Sequence, residues 1–205
     1  MSIETFTDLQ AQVKELSARD PTAIMATLTT LVETQVNRRL RLQHMIVREK
    51  MLNGTSAGQF LYSWPADALS IDNIEIEANG SRYPLQIMSQ EALDQTYGVL
   101  SGAPEAYGIV GRKFELRPCP AASYPVRIVY YQKVPALTSQ APENWLLTHF
   151  PDVYLYGCLT YQAMHVRDME GVKAWSELFG NALTEASDSD ALNDWSGATP
   201  QMRAV

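Results

Sequence analysis

The spacing of apolar residues changes twice along this 205-residue chain. Near both ends they recur at three- and four-residue steps. Through the middle they recur at two-residue steps, broken by turn signals. A helix presents one face every 3.6 residues and a strand every two, so the chain reads as helix, then sheet, then helix. The βαβ alternation of a nucleotide-binding sheet is not visible.

Phe6, Leu9, Val13 and Leu16 form a first helical stripe. Asp20-Pro21 reads as a stop and a restart, with Asp20 as cap and Pro21 in the first turn of the next helix. Ile24, Leu28, Leu31, Val32 and Val36 make the second stripe. Thr27, Thr29, Thr30 and Thr34 lie among them and are poor helix formers, so packing must hold this segment. Strand candidates follow at residues 45–51 and 59–64. Asn79-Gly80 then marks a hairpin between Ile71, Ile74, Ile76 and Tyr83, Leu85, Ile87. Residues 89–97 read as a helix capped by Ser89 and ended by Gly98. A second hairpin turns at Gly111-Arg112, between Tyr107, Ile109, Val110 and Phe114, Leu116. Val126, Ile128 and Tyr130 supply the last strand.

Helical spacing returns at residues 143–186. Trp145, Leu146 and Leu147 form a short element, and Pro151-Asp152 opens a longer one through Val153, Tyr156, Leu159, Ala163 and Val166. Tyr154 and Tyr156 cannot share one face of it, so the helix is expected to be covered on more than one side, as in an oligomer. Asp168 caps a last helix, in which Val172, Trp175, Leu178, Phe179 and Leu183 form the stripe. Residues 187–205 have little periodicity and read as an extended arm with anchors at Leu192, Trp195 and Met202. The expected fold is α+β: N- and C-terminal helices forming one helical bundle, with a mostly antiparallel β insertion between them. The boundaries fall at 1–45, 46–137, 138–186 and 187–205.

Composition narrows the function. Apolar residues are 46% of the chain and charged residues 19%, which excludes a wholly disordered protein. The net charge of −7 excludes an electrostatic nucleic-acid binder. Most of the excess acid is C-terminal: residues 151–205 hold three basic and eight acidic groups. The N-terminus has no secretory signal pattern, and no apolar run nears the roughly 20 residues of a membrane span. The chain reads as soluble. Cys119 and Cys158 read as free thiols.

Catalytic and metal motifs are scarce. His44, His149 and His165 lie in separate elements without metal-ligand spacing. There is no G-x-S-x-G elbow and no phosphate-binding loop. No cofactor is expected. Glu75 and Glu77 share one strand face, and such a pair of carboxylates could act as acid and base in glycoside cleavage if held across a cleft. A solvated face is the plainer reading. Arg38, Arg39 and Arg41, with Arg48 and Lys50, form the basic cluster. It is read as the solvated end of a helix, whose C-terminus favours cations, or as a face for DNA or an acidic partner.

Three strings carry more than periodicity. They are YSWPADALSIDNIEI, GAPEAYGIVGRKFELRPCPA and VRIVYYQKVPALTSQAPENWLLTHFPDVYLYGCLTYQA. They resemble the head-to-tail adaptor, or connector, proteins of tailed bacteriophages and prophages, over about residues 60–183. The most specific pieces are Tyr130–Leu137, Asn144–Leu147 and Pro151–Gly157. Pro65-Ala66-Asp67 and Gly102-Ala103-Pro104, with Tyr107 and Gly111, add agreement.

The resemblance implies a structural, non-catalytic protein of the virion neck, assembled in the bacterial host cytoplasm. Such adaptors form a homo-oligomeric ring, usually of twelve subunits, beneath the portal protein. The ring extends the DNA channel without sequence-specific binding and docks the next neck or tail protein. No membrane is involved. The arm is the expected portal-binding element, with Asp188, Asp190, Leu192, Asp194, Trp195 and Met202 as candidates. The alternatives are another neck or tail-completion protein and a virion-associated cell-wall hydrolase using Glu75 and Glu77.

Overall fold

The computed structural model describes residues 3–51 and 53–195, with side chains up to residue 190. The fold is α+β, with six α-helices and mostly antiparallel strands. The chain divides into two compact units. One joins residues up to His44 with those from Val134 onward, and the other is Met45–Lys133.

The first unit is helical. Helix α1 is Phe6–Ser17, α2 is Met25–Arg39, α4 is Trp145–His149, α5 is Pro151–His165 and α6 is Met169–Trp195. Helix α5 is central and packs against α1, α2, α4 and α6. Its buried residues, including Val153, Tyr154, Cys158, Leu159 and Ala163, go around the helix instead of forming one stripe. That answers the tyrosine puzzle within the subunit. Tyr154 is buried among neighbouring helices, while Tyr156 stacks on Trp175 of α6. Gly157 lets α2 and α6 approach: an added Cβ would lie 2.6 Å from Val32 and 3.0 Å from Phe179.

Helix α1 begins at a capping box, in which Thr5 accepts from the Asp8 N–H and the Asp8 carboxylate accepts from the Thr5 N–H. Helix α2 departs from expectation. It starts at Met25 with no side-chain cap. Asp20 instead accepts from the N–H and hydroxyl of Thr22, so Asp20-Pro21 builds a turn that precedes the helix. The buried stripe is Met25, Leu28, Thr29, Val32, Glu33 and Val36, and Leu31 faces out. Three of its threonines donate to carbonyls one turn back, Thr29 and Thr30 to Ala26 and Thr34 to Thr30. Their hydroxyls are thereby satisfied inside the helix.

Helix α6 also departs from expectation. It continues through residues 187–195, where an extended arm was expected. Ala182, Leu183, Ala186 and Asp190 are buried along one face. The stripe continues in small residues and one acid, which hydrophobic periodicity does not register.

The second unit is β-rich. Its strands are β1 (Ile46–Lys50), β2 (Leu61–Ser63), β3 (Ala68–Ala78), β4 (Ser81–Pro84), β5 (Gln86–Ile87), β6 (Ser101–Gly102), β7 (Ala106–Val110), β8 (Lys113–Arg117), β9 (Cys119–Pro120) and β10 (Val126–Gln132). Helix α3, Gln90–Tyr97, lies between β5 and β6; Ser89 caps it and Gly98 ends it. One sheet runs β1-β10-β3-β4 and another β2-β8-β7-β5, with β6 and β9 as a short parallel pair. Ala78 pairs with Ser81 and Val110 with Lys113, so Asn79-Gly80 and Gly111-Arg112 are two-residue hairpin turns. Asn79, Gly80 and Gly111 have the positive φ that such turns demand. The expected single strand through Tyr83, Leu85 and Ile87 breaks at Pro84: β4 stays in the first sheet and β5 joins the second. Ile74, Ile76, Val126, Ile128 and Tyr130 line one face of β3 and β10 and meet Tyr62, Phe114 and Leu116 in the core.

Candidate functional site: partner-binding surfaces

The strings that carry the resemblance are built into two polar knots. In the helical unit, Asn144 caps α4 by accepting from the Leu147 N–H at 2.9 Å. Its Nδ2 donates to the Pro135 carbonyl at 2.7 Å and to the Tyr154 hydroxyl at 2.8 Å. That hydroxyl donates to Glu33 Oε1 at 3.0 Å, which also accepts from the Leu137 N–H at 2.7 Å. One turn on, Asn37 accepts from the Val134 N–H at 3.0 Å. Helix α2 thus holds residues 134–137 where the chain re-enters the helices. Burial pushes the Glu33 carboxyl above its ordinary value, against the pull of the two hydrogen bonds. Burial, then the nearby Glu33 carboxylate, pushes the Tyr154 hydroxyl up. Burial does the same to the Cys158 thiol, which is free, as is Cys119.

In the β unit, Asp67 gathers the second knot. It receives Gln132 Nε2 at 2.5 Å, lies 3.4 Å from the Tyr130 hydroxyl, and its carbonyl accepts from the Lys133 N–H. Tyr130 donates to Glu49 at 3.0 Å. Burial, then the Glu49 hydrogen bond, raises the tyrosine's pKa. Trp-Pro-Ala-Asp and Tyr-Tyr-Gln-Lys therefore mark a joint in the fold.

The expected carboxylate pair is occupied otherwise. Glu75 lies 3.4 Å from Arg48 and 4.0 Å from Arg127, and Glu77 lies 3.1 Å from Arg82. These are cross-strand charge pairs on a sheet face. The hollow that they line holds about 30 Å³, against the roughly 300 Å³ at which small-molecule sites begin.

Arg38, Arg39 and Arg41 are exposed at the end of α2. Arg41 donates to the Asn37 and Leu40 carbonyls and so caps the helix C-terminus. Arg38 and Arg39 have no ion pair among the described residues. The acids of the C-terminal candidate set are divided. Asp188 is exposed. Asp190 is 9% exposed, accepts from the Gln43 N–H at 2.8 Å, and lies 3.9 Å from His44 Nδ1. It is used inside the subunit, so it cannot belong to an outward-facing acidic set. The side chains of Leu192, Asp194 and Trp195 lie outside the described residues, as does all of Met202.

The fold brings together two histidines that the sequence separates. His44 stacks on Trp145 with ring centroids 5.5 Å apart, and its centroid is 4.7 Å from that of His149. Nothing in the spacing of residues 44, 145 and 149 signals this, because His44 sits in the turn Gln43–Met45 after α2 while Trp145 and His149 begin and end α4, about a hundred residues on. Among the described residues, no three His, Cys, Asp or Glu side chains are grouped to hold a metal ion. No helix among them is long and apolar enough to cross a membrane.

No curated protein matches the chain. The family pattern that matches is that of the SU10 adaptor protein, over residues 4–203. That span takes in both polar knots, the charge-paired sheet face and nearly the whole chain: the protein belongs to the SU10 adaptor protein family, and its role is that of a phage adaptor in the virion neck.

Proposed function

We propose that this chain is a head-to-tail adaptor that forms a closed ring beneath the portal, extends the DNA channel and docks the tail. The observation that carries the reading is the family match over residues 4–203. In this reading the terminal helices form one bundle and the β-rich unit is an insertion in it. The protein is structural rather than catalytic, and it is assembled onto the head in the host cytoplasm. A ring interface is heterologous, so each subunit needs two different complementary faces. The exposed arginines at the end of α2 and the exposed acids of α6 offer opposite charges for them. Acids turned to the channel would oppose DNA retention, because phosphate binding is driven by cations.

Residues 196–205, with Leu192, Asp194 and Trp195, form the portal-facing element. Deleting residues 196–205 is expected to abolish capture by purified portal while leaving the melting temperature of the chain unchanged. Full capture by the shortened chain overturns this assignment. Electron microscopy of the chain mixed with portal reads the copy number directly; a structure with no closed ring overturns the ring.

A further inference from the structure

The corner of the β-rich unit beside Trp64 holds acid without a counter-ion. Tyr130 sits between two carboxylates, its hydroxyl 3.0 Å from Glu49 Oε2 and 3.4 Å from Asp67 Oδ1. A phenol has one hydrogen to donate, and it goes to the nearer oxygen. Asp67 also accepts from Gln132 Nε2. Glu49 is exposed, and its Oε1 has neither a hydrogen bond nor an ion pair among the described residues. The cations of the adjoining hairpin do not neutralise it. Arg112 lies over the Trp64 ring at 5.5 Å and donates to the Pro65, Ala66 and Ala68 carbonyls. Lys113 stands opposite Ser63 in the β2–β8 ladder and makes no ion pair among the described residues.

Glu49 borders a hollow of about 180 Å³, lined also by Met51, Ser63, Trp64, Pro65 and Ile128. That is below the roughly 300 Å³ at which small-molecule sites begin, and it suits a single side chain. Ile128 is buried, and Met51, Trp64 and Pro65 are half-buried, so most of the wall is apolar. Ser63 is exposed, and its hydroxyl has no hydrogen bond among the described residues. Apolar walls beside a free carboxylate oxygen and a free hydroxyl match a side chain with a methylene stem and a cationic head. Lysine fits better than arginine. The planar guanidinium is best met by both oxygens of a carboxylate, and one oxygen of Glu49 is already turned to Tyr130. A single free oxygen near a hydroxyl suits the compact ammonium, which donates from a point and needs no fork.

We propose that this hollow receives the side chain of a lysine exposed on a partner protein, with its stem along Met51, Trp64 and Pro65 and its ammonium on Glu49 and Ser63. The partner supplies the positive charge that this corner lacks, and the corner supplies cover for the stem. The proposal needs neither the ring nor the portal, so its failure leaves the adaptor reading untouched.

The probe is Nα-acetyl-L-lysine amide, titrated into the full chain while the NMR signals of the Trp64 indole and the Met51 methyl group are followed. Both signals should shift and saturate together. Nα-acetyl-L-norleucine amide keeps the stem and drops the charge, and it should bind about fivefold more weakly, the upper end of what an exposed ion pair contributes. The arginine amide should also bind more weakly than the lysine amide. Glu49→Gln keeps an acceptor for Tyr130, so the melting temperature should hold. The same change should weaken the lysine probe about fivefold and leave the norleucine probe alone. Equal binding of the lysine and norleucine probes would show a plain apolar hole and overturn the proposal. Saturable shifts with putrescine but not with the lysine amide would show a site for a free diamine and overturn it too. Absence of any saturable shift at Trp64 and Met51 has the same consequence, as does unchanged lysine binding in Glu49→Gln.

Discussion

Glu33 shows how far one residue's role can lie from its appearance. In sequence it is an acid in a threonine-rich helix. In the fold it is the shared acceptor for Leu137 and Tyr154, partners 104 and 121 residues away. No local pattern reports contacts of that range, so this part of the knot was not legible in the sequence. Burial holds the Glu33 pKa above its ordinary 4.5, and the sign of the effect on stability follows. Between the unfolded and the raised native value, the folded state binds more protons, so the contribution of Glu33 to stability falls as pH rises through that window. Glu33→Gln keeps the acceptor and should remove this slope from a series of thermal melts whose pH rises from the ordinary carboxylate value. Glu33→Ala strands two donors and should cost about 2–4 kcal/mol near neutral pH. Gly157 is the steric counterpart. Gly157→Ala gains about 1 kcal/mol of helix propensity but drives a methyl group into Val32 and Phe179, where overpacking costs about 1–3 kcal/mol. Chemical denaturation should show net loss, and Val32→Ala in the same chain should relieve part of it, because the two sites share one space.

At the scale of elements, turn chemistry was the most legible signal. Asn79-Gly80 and Gly111-Arg112 specify two-residue turns, and both hairpins form in the register that they dictate. Elements held by long apolar residues were legible too, as in α1 and α5. Elements held by small or polar residues were not. The last turns of α6 bury Ala182, Ala186 and Asp190, and only the fold shows that Asp190 has the Gln43 N–H as its partner. The start of α2 was misplaced because Asp20-Pro21 suits a turn as well as a cap. A truncation pair tests the α6 account. Ending the chain after residue 195 should leave its stability unchanged. Ending it after residue 186 removes Asp190 and should lower the melting temperature by several degrees, as should Asp190→Ala alone, with about 1.5–3 kcal/mol lost with a hydrogen bond to a charged group. Equal melting of both truncations would show that the last turns of α6 add nothing to the unit.

At the scale of the whole molecule, the motif-bearing strings build joints in the fold. Trp64–Asp67 meets Tyr130–Lys133 around Asp67, and Val134–Leu137 meets Asn144 and Tyr154 around Glu33. The strings that carry the resemblance are those whose polar residues build these joints. The candidate site was the least legible part, because Asp188 and Asp190 are two residues apart and only burial separates them into an outward-facing acid and an internal one. The division of the helical unit between the two ends of the chain has a consequence in time. Helices α1 and α2 are synthesised first, but α5, the helix they pack against, begins only at Pro151. At about 5–20 residues per second, the ribosome needs several seconds to make the residues between. During that interval the apolar faces of α1 and α2 have no permanent cover, while the β-rich unit, one unbroken stretch from Met45 to Lys133, emerges complete. The helical unit is therefore finished last, and a nascent chain stalled before Pro151 would offer its first two helices to whatever chaperone is nearest.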